Sequence, residues 1–347
     1  MVYNMKGTYF LGNGAFETRP IAERELDAKE VLIKVGACGV CGTDVHIYHG
    51  DKGSAEVHPP VILGHELSGI VVAVGAAVKK LKVGDRVSVD PNSYCGECHY
   101  CRIGKKQLCT NLYAVGVNRD GGFAEYCYVP EAQCYLLNPH VPLAHGAMAE
   151  PLACCIHGID RAEIRSGDTV LVIGGGAIGL MMLQLAKTSG ASQVILSEPV
   201  EMRRKIALEV GADAVIDPIH EDLKTRIKEI TGNDGVHVVI ECVGNTRATA
   251  QAFESAMRGT TLLLFSVPKA GAIHPLSMEE VYQKELRIVG SMINPDTHQR
   301  AVDLINNGRI NFAPIITHHY PVEQVKEAIL MQMSDSSIKV LVGNEFM

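Results

Sequence analysis

The sequence lacks a basic stripe and any run of like charges that could attract a phosphate backbone or an anionic lipid. Its 347 residues include 32 Lys and Arg against 39 Asp and Glu, which gives a formal net charge of -7 at pH 7. These charges are spread over the whole length of the chain. We therefore expect neither nucleic acid nor a membrane surface as a partner.

The sequence also lacks a long uninterrupted apolar run and the features of an export signal. The most apolar stretch, residues 170–186, contains four glycines and is shorter than the roughly 20 residues that cross a bilayer. The first residues do not follow the charged-then-apolar order of a secretory signal. The eleven cysteines are an odd number in a large chain, which argues against a disulfide framework. We expect a cytoplasmic protein in which some thiols bind metal.

The composition and the hydrophobic pattern predict two domains of an α/β protein. A chain of 347 residues with 47% hydrophobic residues can bury two cores. The first 150 residues contain short β-branched runs between glycines, such as residues 30–35 and 68–74, which predict mostly β structure. From about Thr169, apolar strands such as 170–173 alternate with helices such as 246–257, which predicts βαβ units on a parallel sheet.

The last part of the chain is predicted to return to the first domain. After Gly290 the pattern indicates amphipathic helices at residues 298–307 and 322–333 and a closing strand at residues 339–342. The first domain would then be discontinuous in sequence.

A glycine-rich turn follows the apolar strand at residues 170–173 and directly precedes a predicted helix. Its Gly-x-Gly-x-x-Gly pattern is typical of a dinucleotide-binding turn. In such a turn the glycines permit a tight bend, let the backbone approach the pyrophosphate, and let the helix pack on the strand. The amides at the start of the helix would bind the phosphates. The cofactor-binding residues predicted here are Gly174, Gly176, Ile178 and Gly179.

An acidic residue ends the next predicted strand, 19 residues after Gly179. The carboxylate of Glu198 would there accept hydrogen bonds from both ribose hydroxyls and repel a 2′-phosphate, which favours NAD over NADP. Arg203 and Arg204 follow closely enough to leave NADP open as an alternative. Arg203 can instead stack beside the adenine of the cofactor.

Four cysteines lie within 15 residues and predict a closed metal site. Tetrahedral Zn²⁺ accepts four thiolates and then has no open position, which defines a structural site. An iron–sulfur cluster is the alternative, but the ferredoxin pattern continues with Cys-Pro after three residues. Here the fourth cysteine comes after seven residues and is followed by Thr110. We favour structural zinc on Cys95, Cys98, Cys101 and Cys109.

A second metal site is indicated by one thiolate, one imidazole and one carboxylate. Cys41, His65 and Glu150 would leave a fourth zinc position free, as a catalytic zinc requires. Spacing alone leaves this site undecided, because the three residues are far apart in sequence.

Taken together, these blocks resemble the medium-chain, zinc-containing alcohol dehydrogenase family. The segment Gly39-Val-Cys41-Gly-Thr43-Asp44-Val-His46, the Gly64-His65-Glu66 block, the four-cysteine lobe and the glycine turn occur in the order of that family. The resemblance covers essentially the whole chain. It implies hydride transfer between an alcohol carbon and NAD, with one catalytic and one structural zinc ion. It also implies a homodimer or a homotetramer.

The same resemblance implies the domain boundaries. A GroES-like, mostly-β catalytic domain is expected at residues 1–152, with the structural-zinc lobe at about residues 90–112. A Rossmann domain with a doubly wound parallel sheet is expected at residues 153–293. Residues 294–347 would return to the catalytic domain.

The resemblance also assigns roles at the catalytic zinc. Cys41, His65 and Glu150 correspond to the zinc ligands of the family. Glu66 would be an alternate ligand, or a carboxylate beside the metal that exchanges with water or substrate. Which glutamate binds the zinc at rest stays open.

A proton relay and a nicotinamide pocket are implied in the same way. The hydroxyl of Thr43 can pass on the proton of the alcohol, and His46 can deliver that proton to solvent because a histidine titrates near physiological pH. The nicotinamide pocket is expected to be lined by Phe265, Ser266, Val267, Met292, Ile293 and Asn294.

Two branches of the family compete as models for the substrate. Residues 116–126 and 314–318 resemble threonine 3-dehydrogenases, whereas residues 150–160 and 294–300 resemble sorbitol and related polyol dehydrogenases. We favour the polyol branch, which implies oxidation of a secondary alcohol of a polyol or sugar derivative to the ketone. Oxidation of an amino-acid alcohol such as threonine is the alternative.

Two positions depart from the sorbitol pattern. Sorbitol dehydrogenases carry an aromatic residue at the position of Ile47 and an arginine at the position of Ile293, so we expect the substrate chain to bind differently here. A non-catalytic scaffold that keeps zinc and nucleotide is the alternative from another class of protein. Loss of a ligand or of a relay residue would favour it, and the sequence retains all of them.

Overall fold

Each of the two units of the chain is built around its own β-sheet. The structure is a computed structural model, and it describes residues 5–51, 56–269 and 271–343. The contacts divide the chain into one unit made of Met1–Ala153 with Pro295–Met347 and a second unit made of Cys154–Asn294.

The first unit is mostly β. Short 3₁₀ turns at Lys106–Leu108, Glu131–Gln133 and Val322–Gln324 accompany its strands and helices. In chain order its elements are β1 (Lys6–Gly12), β2 (Ala15–Pro20), β3 (Glu30–Gly39), α1 (Gly42–Tyr48), β4 (Val61–Ile62), β5 (Glu66–Val74), β6 (Arg86–Val89), β7 (Asn92–Ser93), α2 (His99–Arg102), β8 (Tyr113–Ala114), β9 (Tyr126–Pro130), β10 (Cys134–Leu136), α3 (Leu143–Ala147) and α4 (Ala149–Ala162), which continues past the boundary at Ala153.

The second unit alternates strands and helices, and the chain then re-enters the first unit. The elements of the second unit are β11 (Thr169–Ile173), α5 (Ala177–Thr188), β12 (Gln193–Ser197), α6 (Glu201–Glu209), β13 (Ala214–Ile216), α7 (Leu223–Thr231), β14 (Val236–Glu241), α8 (Thr246–Glu254), β15 (Ala256–Leu264), α9 (Met278–Lys284) and β16 (Arg287–Gly290). The re-entering elements are α10 (His298–Asn306), β17 (Ile316–Tyr320), α11 (Val325–Gln332) and β18 (Lys339–Val342).

The main sheet of the first unit has the strand order β10-β6-β5-β3-β18-β17, and β9 also pairs with β3. β3 pairs antiparallel with β5, and this register places Gly39 opposite Glu66. On the other side of β3, the last strand β18 pairs antiparallel and places Leu341 opposite Gly39. Three strands from distant parts of the chain therefore meet at Gly39.

The sheet of the second unit is parallel, with the strand order β13-β12-β11-β14-β15-β16. Its central strand β11 is buried along its whole length. Parallel strands covered on both faces are expected to be continuously apolar, and Val170 to Ile173 are all β-branched or Leu. The predicted doubly wound parallel sheet is confirmed.

Two predicted helices differ from the structure at their ends. The helix predicted at residues 246–257 ends at Glu254, because Ala256 already pairs with Val236 in the parallel sheet. The helix predicted at residues 322–333 begins with the 3₁₀ turn before α11. Among the described residues, no helix combines the length and the apolar composition that a bilayer crossing requires.

A buried histidine at the start of α10 makes the first unit sensitive to acid. His298 is 0% exposed, and its Nε2 atom lies 3.0 Å from the hydroxyl of Ser88. Its ring packs against Tyr135 with 4.7 Å between the ring centroids. Burial lowers the pKa of His298 from 6.5 to about 3. The folded chain therefore keeps this imidazole neutral at pH values where the unfolded chain protonates it.

We predict that the free energy of unfolding falls as the pH drops below about 6.5, because only the unfolded state then binds this proton. Between pH 7 and pH 5 the loss due to His298 is about 2 kcal/mol. Urea unfolding at both pH values, on the wild type and on His298→Gln, measures the effect. The variant should show the smaller change, and equal changes in the two proteins would contradict the assignment.

Candidate metal centres and cofactor site

Three potential metal ligands converge at the meeting point of β3 and β5. The ligand atoms of Cys41, His65 and Glu66 all lie within 4.8 Å of one another. Cys41 caps the N-terminus of α1 just after β3, and His65 and Glu66 stand at the start of β5. The antiparallel register of the two strands therefore brings together residues that are distant in sequence.

A buried aspartate contacts two of these three residues. Asp44 is 0% exposed, and its carboxylate accepts a hydrogen bond from the amide of Cys41 at 2.8 Å. Its other oxygen lies 3.7 Å from Nδ1 of His65. Burial raises the pKa of Asp44 to about 6, although the charge of His65 opposes this shift. No role was predicted for Asp44 from the sequence, although it stands three residues after Cys41 in the same block.

The electrostatics of the group favour a cation. Burial opposes a charged imidazole, but Asp44, Cys41 and Glu150 together raise the pKa of His65 well above its usual range. The acidic groups that favour a proton on His65 are also favourable for a divalent ion at this position. Thiolate, imidazole and carboxylate are the donors that Zn²⁺ accepts in catalytic sites, so the residues fit this metal.

A buried lysine that the sequence analysis did not identify lies against the group. Lys339, in β18, is 4% exposed and forms an ion pair with the carboxylate of Glu66. Its Nζ atom also donates a hydrogen bond to the carbonyl oxygen of Val40 at 2.9 Å. No local pattern predicts this contact, because it depends on the pairing of β18 with β3.

The other predicted catalytic residues lie around the group. Glu150 is buried in the first turn of α4, outside the set of mutually close ligand atoms, but its charge raises the pKa of both His65 and Lys339. The hydroxyl of Thr43 lies 3.7 Å from Sγ of Cys41. His46, one turn further along α1, has its Nδ1 atom 3.4 Å from a carboxylate oxygen of Asp51.

The four cysteines of the lobe also converge. Their ligand atoms lie within 4.8 Å of one another, and Sγ–Sγ distances include 3.5 Å for Cys95–Cys109 and 4.0 Å for Cys98–Cys109. Sulfurs bound at about 2.3 Å to one tetrahedral Zn²⁺ would be about 3.8 Å apart. Backbone amides of Cys101 and Thr110 lower the pKa of Cys98 to about 6, whereas burial and the neighbouring thiols raise the pKa of Cys101 to about 12. The lobe therefore fits a structural zinc.

The glycine turn of the second unit has the tight geometry that the sequence predicted. Gly174 has a φ of 103°, and a Cβ atom there would lie 2.7 Å from a methyl group of Val243. A Cβ on Gly179 would overlap the carbonyl oxygen of Gly174. Beside Gly176, at the N-terminus of α5, a Cβ would meet only open space, which leaves room for a ligand.

Glu198 lies directly against this turn. It is 3% exposed, and its two carboxylate oxygens accept hydrogen bonds from the amides of Gly175 at 2.6 Å and Val200 at 2.8 Å. Arg204 donates to the carbonyl oxygens of Glu198 and Pro199, both at 2.7 Å. The side chain of Arg203 has a buried Nε atom.

Part of the predicted nicotinamide pocket is held by a second buried carboxylate. Glu241, at the end of β14, accepts hydrogen bonds from the amides of Val243 at 2.7 Å and Gly244 at 2.9 Å and from the hydroxyl of Ser266 at 2.5 Å. It therefore ties the segment 265–267 to the loop beside the glycine turn. No motif in the sequence predicted this role of Glu241.

The remaining predicted pocket residues follow β16. Met292 is 42% exposed, Asn294 is fully buried, and Ile293 has a φ of 44°. A β-branched residue in the left-handed region is strained, and such strain clusters at functional sites.

The comparisons with known proteins agree with this chemistry. The model of the alcohol dehydrogenase GroES-like domain matches residues 27–139, and that of the zinc-binding dehydrogenase matches residues 177–307. Sorbitol dehydrogenase of Bacillus subtilis is 32% identical, over 98% of this chain and 97% of the relative. L-threonine 3-dehydrogenase of Pyrococcus abyssi is 37% identical, over 90% of each. A zinc-binding dehydrogenase from Sinorhizobium meliloti, solved with NADP, aligns with a TM-score of 0.93 and 40% identity over 98% of this chain and 99% of that one.

We predict that Cys101→Ser lowers the zinc content by about one ion per chain and lowers Tm, because a closed four-thiolate site contributes folding energy. Elemental analysis and thermal unfolding measure both effects. Cys134→Ser is the matched control, since this half-buried thiol lies outside the lobe, and it should leave the zinc content unchanged. Iron in place of zinc, or unchanged zinc in Cys101→Ser, would refute the structural-zinc site.

Proposed function

This chain belongs to the zinc-containing medium-chain alcohol dehydrogenase family, and we propose that it oxidises a secondary alcohol of a polyol or sugar derivative to the ketone, with NAD as the hydride acceptor. The observation that carries the proposal is the convergence of the ligand atoms of Cys41, His65 and Glu66 within 4.8 Å. The hydrogen bond between the amide of Gly175 and Glu198, in the glycine turn, supports the predicted cofactor site.

The residues around the metal group have separate roles: some would bind the metal, and Asp44 positions those ligands. Zn²⁺ held by Cys41 and His65 with Glu66 or Glu150 would supply a Lewis acid that polarises the alcohol oxygen and lowers its pKa. Asp44 fixes the loop of Cys41 through the amide hydrogen bond and steadies the imidazole of His65. Burial of Asp44, His65 and Glu66 strengthens the charge interactions among them.

The proton of the alcohol leaves through Thr43 and His46. Thr43 is placed beside Cys41 and can accept the proton in a hydrogen bond. The side chain of His46 is 32% exposed and can pass the proton to solvent, with Asp51 beside it. When NAD⁺ is bound, the same carbon would give its hydride to the nicotinamide, so that the alcohol would lose two electrons and one proton to the cofactor and one proton to water.

The choice of a polyol rests on residues 150–160 and 294–300, which resemble polyol dehydrogenases. L-threonine oxidation is the second candidate, favoured by the resemblance of residues 116–126. The two named relatives carry these two activities, and both cover nearly all of the chain.

A substrate panel separates the two candidates. NADH formation is followed with polyols, sugar phosphates, simple alcohols and threonine. We expect turnover on one class of polyol or sugar derivative. Activity confined to threonine would refute the polyol assignment, and silence on the whole panel with NADH still bound would favour the non-catalytic scaffold.

We predict that Glu198→Ala reduces the preference for NAD over NADP by at least roughly tenfold, because the variant loses a charged acceptor for the ribose and a charge that repels a 2′-phosphate. The ratio of kcat/KM for the two cofactors measures it. Glu201→Ala is the control, since this exposed carboxylate pairs with Lys205 on the surface. An unchanged ratio in Glu198→Ala would show that another residue binds the ribose hydroxyls.

We also propose a cytoplasmic homodimer or homotetramer. Metal-binding thiolates are kept reduced in the cytoplasm. A surface of the second unit exposes Ile273, Met278 and Tyr282 at 81%, 84% and 86%, close in sequence to the edge strand β16. Large exposed apolar side chains that lie close together in sequence are typical of an interface. A light-scattering mass equal to that of one chain would refute the oligomer.

A further inference from the structure

The ion pair between Lys339 and Glu66 is built by three strands. Gly39 of β3 stands opposite Glu66 of β5 and opposite Leu341 of β18. A Cβ atom on Gly39 would overlap the Glu66 carboxylate and lie 2.8 Å from Cε of Lys339. The two charged side chains therefore meet over a residue without a side chain.

Burial makes this pair costly to separate. Glu66 is 1% exposed and Lys339 is 4% exposed. The ammonium has the Glu66 carboxylate and the carbonyl oxygen of Val40 as its partners at this point. A buried charge that loses its counter-charge is strongly destabilising. Any movement of Glu66 away from Lys339 is therefore opposed.

The same carboxylate is also one of the converging metal ligands. A ligand oxygen of Glu66 lies within 4.8 Å of the ligand atoms of Cys41 and His65. A carboxylate that contacts both an ammonium and a metal ion interacts more weakly with each of them than it would with one alone.

We propose that Lys339 is a positioning residue that competes with the metal for the Glu66 carboxylate and so makes Glu66 a ligand that the site can release. This inference rests on the proposed metal at Cys41 and His65. It explains how one buried carboxylate can bind the metal and leave it again: Lys339 offers Glu66 a second partner within the same site.

The test measures zinc release from the full-length protein to a chromogenic chelator, independently of activity. Zinc is expected to leave the wild type in two phases, one from each metal site. The phase that is missing in His65→Ala belongs to the Cys41–His65 site, and the remaining phase belongs to the four-cysteine lobe. Lys339→Met keeps the length of the side chain and removes the charge. We expect it to slow release from the Cys41–His65 site by about tenfold, because Glu66 then loses the ammonium that competes with the metal.

Two further variants isolate the pair. Lys339→Arg keeps the charge and should release zinc within about threefold of the wild type. In a Glu66→Gln background, Lys339→Met should change release by less than about threefold, because the shared carboxylate is gone. Lys339→Gln keeps a hydrogen-bond donor for the carbonyl oxygen of Val40 and should slow zinc release as Lys339→Met does. It replaces Lys339→Met if that variant does not fold.

The outcomes are distinct. Unchanged or faster zinc release in both Lys339→Met and Lys339→Gln would overturn the inference. It would also be overturned if Lys339→Met changed the release rate equally with Glu66 and with Glu66→Gln, because this result would indicate simple charge repulsion. If zinc binds and only this pattern fails, the proposed function is untouched. If the wild type has no release phase that depends on His65, both the proposed function and this inference fail.

Discussion

The candidate active site depends on the antiparallel register of β3 and β5, which sets Gly39 opposite Glu66. This pairing brings Cys41, just beyond the end of β3, to His65 and Glu66 at the start of β5. β18 pairs on the other side of β3 and adds Lys339. A shift of one residue would turn these side chains to the opposite face of the sheet, so the metal chemistry requires this register.

The second unit uses buried carboxylates in a similar way. Glu198 follows β12 and Glu241 ends β14, at the carboxyl edge of the parallel sheet where ligands bind in such folds. Each carboxylate accepts hydrogen bonds from backbone amides of the glycine-containing loops. These contacts hold the loops at the predicted cofactor site in a fixed shape.

Local patterns were sufficient to predict the parallel sheet and the four-cysteine lobe, whereas Cys41, His65 and Glu66 were assigned through the resemblance to the family. The glycine turn at Gly174 follows an apolar strand, and the four cysteines lie within one short lobe, so each motif is complete within a short segment. Lys339 and Glu241 could not be found in this way. Their roles depend on strand pairing between distant segments or on loops that only the fold brings together.

The most direct test of the account removes the metal and returns it. The protein is treated with a chelator, metal loss is verified by elemental analysis, and alcohol-dependent NAD reduction is measured before and after zinc is added. The account predicts that activity is lost with the metal and recovered with zinc in the wild type, and that His65→Ala shows no recovery. Full activity in a verified metal-free protein would contradict it.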